Sequence, residues 1–436
     1  MLRKKLLFAI IVIFGFGCNT NDKSGSTEIT KWQFGKNAAV SLTFDDGTRN
    51  QFSVALPLLN ELKMPATFYI ITGEVEGSQY HGKFIGRPID QIIRGTADTP
   101  TNKDNFFERA SAIPYTGYRG ALAFHSDAGS LFEQGKVEQA YRLIDSGYAQ
   151  IRKGALKRSQ PRDKDTTHLT WPKVKEYAAQ GHEFASHTVT HPRLAVLTEP
   201  NLLWELEKSK EDIHNNLGER YTFSAECPYG TENERVMEYA YKIFPSLRNR
   251  MPEKYLAELN RGSKESPSAH TQEYVQWQRG AVIKTPLPMM KSWVDTVAAN
   301  SNQWLVLVFH GVDGIGWEAL PGSLLKEYFG YIKQNDDKLW VATFADATKY
   351  MRERMNAKVN SKQENDKISI DLTHTLDKQT YDLPLTLRTY VPNEWQKVQL
   401  TWGDKSETLV PVKGNEGTYV QYQLKPNAGA AELKKL

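Results

Sequence analysis

Apolar and polar positions fall in blocks over the first three quarters of the chain and alternate singly over the last. Ala38-Ala39-Val40-Ser41-Leu42-Thr43-Phe44 is a nearly continuous apolar run that stops at Asp45-Asp46-Gly47, the pattern of a strand buried on both faces. A helix over residues 52–62 and a second strand over 66–71 follow with short connections, which is the βαβ signature of a parallel sheet. The rhythm returns as helix 171–180, strand 182–185, helix 200–216, strand 305–309, helix 322–334 and strand 340–343, and predicts a barrel-like α/β domain. Residues 73–167 break it and read as an insertion with one helical stretch, 131–156. A polar passage over 356–367 then precedes short alternating strands at 368–372, 385–391, 398–402 and 418–422, a small β-sandwich-like module at 366–436.

Composition narrows this picture. With 40% hydrophobic, 24% charged and 11% aromatic residues among 436, the chain can bury a large core, which excludes wholesale disorder. The formal charge of +4 gives no argument for a nucleic-acid partner. The basic cluster Arg152, Lys153, Lys157, Arg158, Arg162 and Lys164 reads as a solvated helix face, with contact to an acidic glycan as the alternative. Arg3, Lys4 and Lys5 before an apolar run over residues 6–16 form an export signal, too short to span a bilayer. Gly17-Cys18 followed by a polar tether over 18–34 resembles a bacterial lipoprotein signal. That implies removal of residues 1–17 and a lipid on Cys18 as the only membrane attachment, in the cell envelope (outer membrane or periplasm). Cys227, the other cysteine, reads as a small buried apolar side chain, and no disulfide is expected.

Three stretches carry chemistry. Asp45 and Asp46 stand at the C-terminal end of a strand, where parallel α/β domains place active sites, and two carboxylates there can divide cation binding from proton transfer. His187 and His191, in Ser186-His187-Thr188-Val189-Thr190-His191, are four apart and would share one face of a helical turn, within reach of one metal. His310 follows the apolar strand 305–309 and can donate a proton to a departing group. Each has an ordinary reading alone, since Asp-Asp-Gly is also turn chemistry and histidines are often structural. Together they point to a metal-assisted hydrolase.

Thr43-Phe44-Asp45-Asp46-Gly47, Ser186-His187-Thr188-Val189-Thr190-His191 and Val308-Phe309-His310, in this order, resemble the motifs of the NodB-type polysaccharide deacetylases, carbohydrate esterase family four. The resemblance implies a distorted (β/α) barrel over 35–355, interrupted by the insertion. It implies Asp45 as general base and Asp46, His187 and His191 as ligands of a divalent metal, zinc before cobalt or nickel. His310 would be the general acid, and the backbone N–H of Tyr229, in Cys227-Pro228-Tyr229-Gly230, an oxyanion donor. The substrate would be an acetylated glycan, losing N- or O-linked acetyl groups. Ala225, Glu226 and Cys227 stand where relatives often carry an arginine that steadies the catalytic aspartate. Arg279 is assigned that role, with Arg248 and Arg250 as rivals, and Trp293 or Trp317 would pack on His310. Two other readings remain open: an exported carbohydrate-binding lipoprotein with a vestigial metal site, and a hydrolase of small non-sugar amides.

Overall fold

A computed structural model of the chain describes residues 23–159, 169–230 and 232–436. The export signal, Cys18, Arg162 and Lys164 lie outside the described residues. Two compact units divide the chain: Thr30–Ala357 with His374–Thr386, and Lys358–Thr373 with Leu387–Leu436 and the residues up to Ile29.

Strand β1 (Thr27–Ile29) belongs to the second unit. The first is built on nine strands: β2 (Ala38–Asp46), β3 (Thr67–Ile70), β4 (Glu183–Ser186), β5 (Ser224–Ala225), β6 (Ser246–Leu247), β7 (Leu256–Leu259), β8 (Tyr274–Gly280), β9 (Gln303–Phe309) and β10 (Leu339–Val341). They form one sheet in the order β6-β5-β4-β3-β2-β9-β8-β7, with β10 also against β2. Every registered pair is parallel. All C-terminal strand ends therefore lie on one rim, and the curled sheet is the distorted barrel expected. On β2, Phe44 faces the helices, stacked on Phe68 and Phe309 at 5.1 Å each and edge-on to Phe329. Thr43 and Asp45 take the opposite face, because side chains alternate along a strand. The two polar residues inside this buried strand have partners: Trp304 Nε1 donates to Ser41 Oγ at 3.0 Å, and Thr43 Oγ1 donates to the Leu307 carbonyl at 2.9 Å.

The insertion differs from its sequence reading. The expected helix over 131–156 is two, Ala121–Glu133 and Val137–Arg152, broken at Gly135 with its positive φ. With Ile89–Gly95 and Phe106–Ala112 they enclose a core of their own around Ile92, Phe106, Ile113, Ile144 and Tyr148. Within the basic cluster, Arg152 hydrogen-bonds Thr96 and Arg158 lies 4.4 Å from the Tyr118 ring.

The second unit has two sheets, β1-β13-β17-β16 and β11-β12-β18-β14-β15, from β11 (Lys358–Glu364), β12 (Lys367–Thr373), β13 (Leu385–Tyr390), β14 (Val398–Trp402), β15 (Lys405–Leu409), β16 (Val412–Gly414), β17 (Gly417–Leu424) and β18 (Ala431–Lys435). Two boundaries are corrected. The polar passage 356–367 contains β11, whose seven residues pair antiparallel with β12. The tether 18–34 contains β1, whose Glu28 pairs with Arg388. Both are edge strands rich in polar side chains, so hydropathy hides them while the ladder holds them.

Candidate active site

The rim of the sheet gathers most of the residues singled out by sequence, and it explains why they are far apart in the chain. Asp45 and Asp46 end β2, His187 follows β4, Arg248 follows β6 and His310 follows β9. Backbone strain concentrates here: Asp46 (φ 75°), Thr188 (68°), His191 (61°) and Tyr229 (66°) all have left-handed backbone, each at a cost of about 1–3 kcal/mol.

Asp46, His187 and His191 offer three ligand atoms that all lie within 4.8 Å of one another. The histidines do not sit on a helical turn as their spacing suggested. They flank a loop folded back by the positive φ of Thr188, whose Oγ1 accepts from His191 N–H at 3.0 Å, and the two rings come to 4.7 Å. His187 Nδ1 is 2.9 Å from the Glu226 carbonyl, which can only accept, so Nδ1 carries the proton and Nε2 presents a lone pair. That Nε2 faces Asp46 Oδ1 at 3.7 Å, and His191 Nε2 faces it at 3.4 Å. Electron-rich atoms converging without a proton between His187 and the carboxylate are the arrangement a cation relieves, and two imidazoles with one carboxylate suit zinc and its neighbours. Burial, Asp45 and Glu74 push the Asp46 carboxyl up to about 7, while burial brings His187 and His191 down to about 4 and 3.

Asp45 is buried and gripped by Arg248, whose Nη1 and Nη2 meet its two oxygens at 2.6 and 2.7 Å. Arg248 also donates to Thr43 Oγ1 and pairs with Glu226 at 2.8 Å each. Burial works against the Asp45 charge, but Arg248 and His310 outweigh it and hold the carboxyl well below its usual range. The arginine assignment made from sequence is therefore corrected. Arg279 stacks on Trp277 at 4.4 Å and donates to the carbonyls of Arg261 and Ser263, and Arg250 pairs with Glu234. Arg279 lies on β8 and is held to the loop after β7; Arg248 occupies a strand end two neighbours beyond β4. Glu226 is the second carboxylate on the same guanidinium.

His310 Nε2 lies 3.4 Å from Asp45 Oδ2, and Trp317 packs edge-on to its ring at 4.7 Å, while Trp293 is buried in the main core. Burial, then Arg261 and Arg248, bring His310 down to about 4 against the pull of Asp45. Tyr229 packs its ring on His191 at 4.7 Å, with the Arg193 guanidinium 4.2 Å from the centroid of the Tyr229 ring, and its positive φ sets the orientation of the Pro228–Gly230 turn.

Two residues escaped the sequence reading. Gln51 is buried, and its amide donates to the carbonyls of Asp45 at 2.5 Å and His310 at 2.8 Å, tying two strand ends together. No local pattern marks it. Glu205 accepts from the N–H groups of Val189 and Thr190 at 2.9 and 2.8 Å and from Thr190 Oγ1 at 2.7 Å, so it fixes the loop between the two histidines. Burial pushes its carboxyl up to about 7. Its signal was legible: it sits on the apolar face of the helix Glu199–Leu217, between Leu202, Leu206 and Ser209.

Comparison with known proteins gives the following. A gellan lyase from Bacillus sp is 24% identical over 275 residues, 60% of this chain but 11% of that protein, so the chain spans about a tenth of its length. Among solved structures, the Xyl-CE4 domain of a multidomain xylanase from the hindgut metagenome of Trinervitermes trinervoides has 13% identity and a TM-score of 0.33, covering 72% of this chain and 89% of that one. A family 4 carbohydrate esterase from Bacillus subtilis, PdaA, has 12% identity and a TM-score of 0.32, covering 72% and 81%. The sequence profile of the polysaccharide deacetylase family matches residues 35–98 and 132–243, a span that holds Asp45, Asp46, His187, His191 and Tyr229. Over those residues the chain therefore carries a polysaccharide deacetylase domain, with Asp45, Asp46 and His187 at strand ends on one rim of a parallel sheet.

Proposed function

We propose that the chain is a metal-dependent deacetylase that removes acetyl groups from a glycan by hydrolysis. The observation that carries this is the convergence of Asp46, His187 and His191 within 4.8 Å of one another, beside an aspartate locked by Arg248 and a histidine 3.4 Å from that aspartate. A divalent ion, when held by the three, lowers the pKa of a bound water from about 15.7 toward 7 and polarises an acetyl carbonyl. The chain supplies the rest. Asp45, oriented by Arg248, accepts the proton of the attacking water. Because Arg248 keeps Asp45 strongly acidic, that proton passes readily to the less acidic His310 beside it. His310, neutral in the resting chain at pH 7, thereby gains the proton it delivers to the leaving sugar amine or alcohol. The Tyr229 N–H is the candidate donor to the tetrahedral oxyanion, a role worth about 3–4 kcal/mol.

A binding protein with a vestigial site would be favoured if no arginine reached the catalytic aspartate. Arg248 supplies that interaction from another strand end, so that ground falls away. Trp395 in the second unit is buried and Trp402 is half-buried, which favours a structural role for that unit over glycan binding. Zinc is the proposed ion, and an exported chain tethered through a lipid on Cys18 the proposed setting. Acetate release from a panel of N- and O-acetylated oligosaccharides, measured with zinc and after chelation, tests the function. We expect release from at least one class, abolished by chelator and restored by zinc; release unaffected by metal removal would overturn the mechanism.

A further inference from the structure

Three arginines around the rim are paired with carboxylates. Arg248 holds Asp45 and Glu226, Arg193 holds Glu133 and Arg250 holds Glu234. Arg261 differs. Among the described residues it is in no ion pair and its guanidinium donates no hydrogen bond, although it is half-buried. It stands two residues past β7, and its side chain crosses the end of β8, where a Cβ on Gly280 would lie 3.0 Å from Arg261 Cδ. Its far end reaches the Tyr229 turn, where a Cβ on Gly230 would lie 3.6 Å from Nη2. Its charge is felt by the reaction centre, opposing protonation of His310 and favouring ionisation of Glu226. The loop that carries it is braced, because Arg279 donates to the Arg261 and Ser263 carbonyls at 3.4 and 3.2 Å while stacked on Trp277.

A half-buried guanidinium in no ion pair, at the turn that carries Tyr229, presents a planar fork suited to a carboxylate. Resting on the deacetylase reading, we propose that Arg261 is a specificity residue that binds the carboxylate of an acidic sugar adjoining the acetylated one, so that the substrate is an acetylated acidic polysaccharide. Arg279, which does not touch Asp45, serves here by fixing the loop.

The test compares an O-acetylated oligouronide with an O-acetylated xylo-oligosaccharide of equal length on the zinc-loaded full chain. The wild type should favour the uronide, and R261Q should raise the KM for it about tenfold or more while leaving the KM for the neutral substrate within about twofold. R261K should recover part of the loss, since it keeps the charge without the fork. Equilibrium binding of the unacetylated uronide, which needs no turnover, should weaken by a similar factor in R261Q. Equal effects of R261Q on the KM of both substrates, or uronide binding indifferent to it, would overturn the proposal while neutral-substrate turnover left the deacetylase reading standing. Acetate release from neither substrate would overturn the Arg261 proposal, and release from no N- or O-acetylated oligosaccharide would overturn the deacetylase reading as well.

Discussion

Arg248 cannot be replaced at no cost, because two buried carboxylates, Asp45 and Glu226, depend on it. Removing it would strand both, at about 3–5 kcal/mol. The informative change is R248K, which keeps a charge but loses the bidentate grip: kcat should fall about 10- to 100-fold with KM nearly unchanged, whereas R279M should leave kcat on a neutral acetylated oligosaccharide within about threefold. Steady-state kinetics on the two variants checks this, and the reverse ranking would return the orienting role to Arg279. The contrast shows what sequence can and cannot deliver at this scale. The Asp45-Asp46 pair, the two histidines and His310 are legible because they stand at, or within a few residues past, the end of an apolar strand. The arginine is not, because β6 is only Ser246–Leu247, too short to give a hydropathic signal, and the partner of a buried charge is chosen by three-dimensional proximity.

At the scale of elements, the loop between His187 and His191 is held by the helix Glu199–Leu217 through Glu205. Glu205 supplies acceptors to two backbone N–H groups and one hydroxyl, so Glu205→Gln, whose amide nitrogen cannot accept, should loosen the loop. Zinc affinity, measured by competition with a chelator, should fall about 10- to 100-fold, the usual range for groups that orient ligands. Unchanged affinity would show that the strained loop holds its shape without Glu205. The long strands and helices of the α/β unit follow from their runs and periods. The short strands β5 to β7 and the split of the helix over 131–156 do not, since two to four residues carry no period and only Gly135 marks the break.

Across the molecule, the insertion is joined to the site loop through His125. This buried residue is 2.9 Å from the Ala110 carbonyl through Nδ1, which must donate, and its Nε2 accepts from the Arg193 N–H at 3.0 Å. Burial brings it down to about 4 from 6.5. Between those values the unfolded chain binds a proton that the folded chain excludes, so stability is lost as pH falls from about 6.5 toward 4. The loss from this residue alone is about 2 kcal/mol between pH 7 and pH 5, by the linkage of protonation to folding. Urea unfolding of wild type and H125Q at both pH values should show a smaller pH dependence in the variant; parallel losses would place the proton elsewhere. The division of the chain was only partly legible. Alternation along β12 and β17 announces the second unit, but β1, supplied by residues far away in sequence, has no pattern that links it to β13.

The proposed chemistry requires one ion shared by strand ends far apart in the chain. Zinc bound per chain, measured after equilibrium dialysis alongside acetate release, tests it most directly. Wild type and Asp45→Asn should each hold one ion with only the former releasing acetate, while Asp46→Ala and His187→Ala should hold none and release none. Full zinc occupancy in Asp46→Ala, or acetate release without zinc, would contradict it.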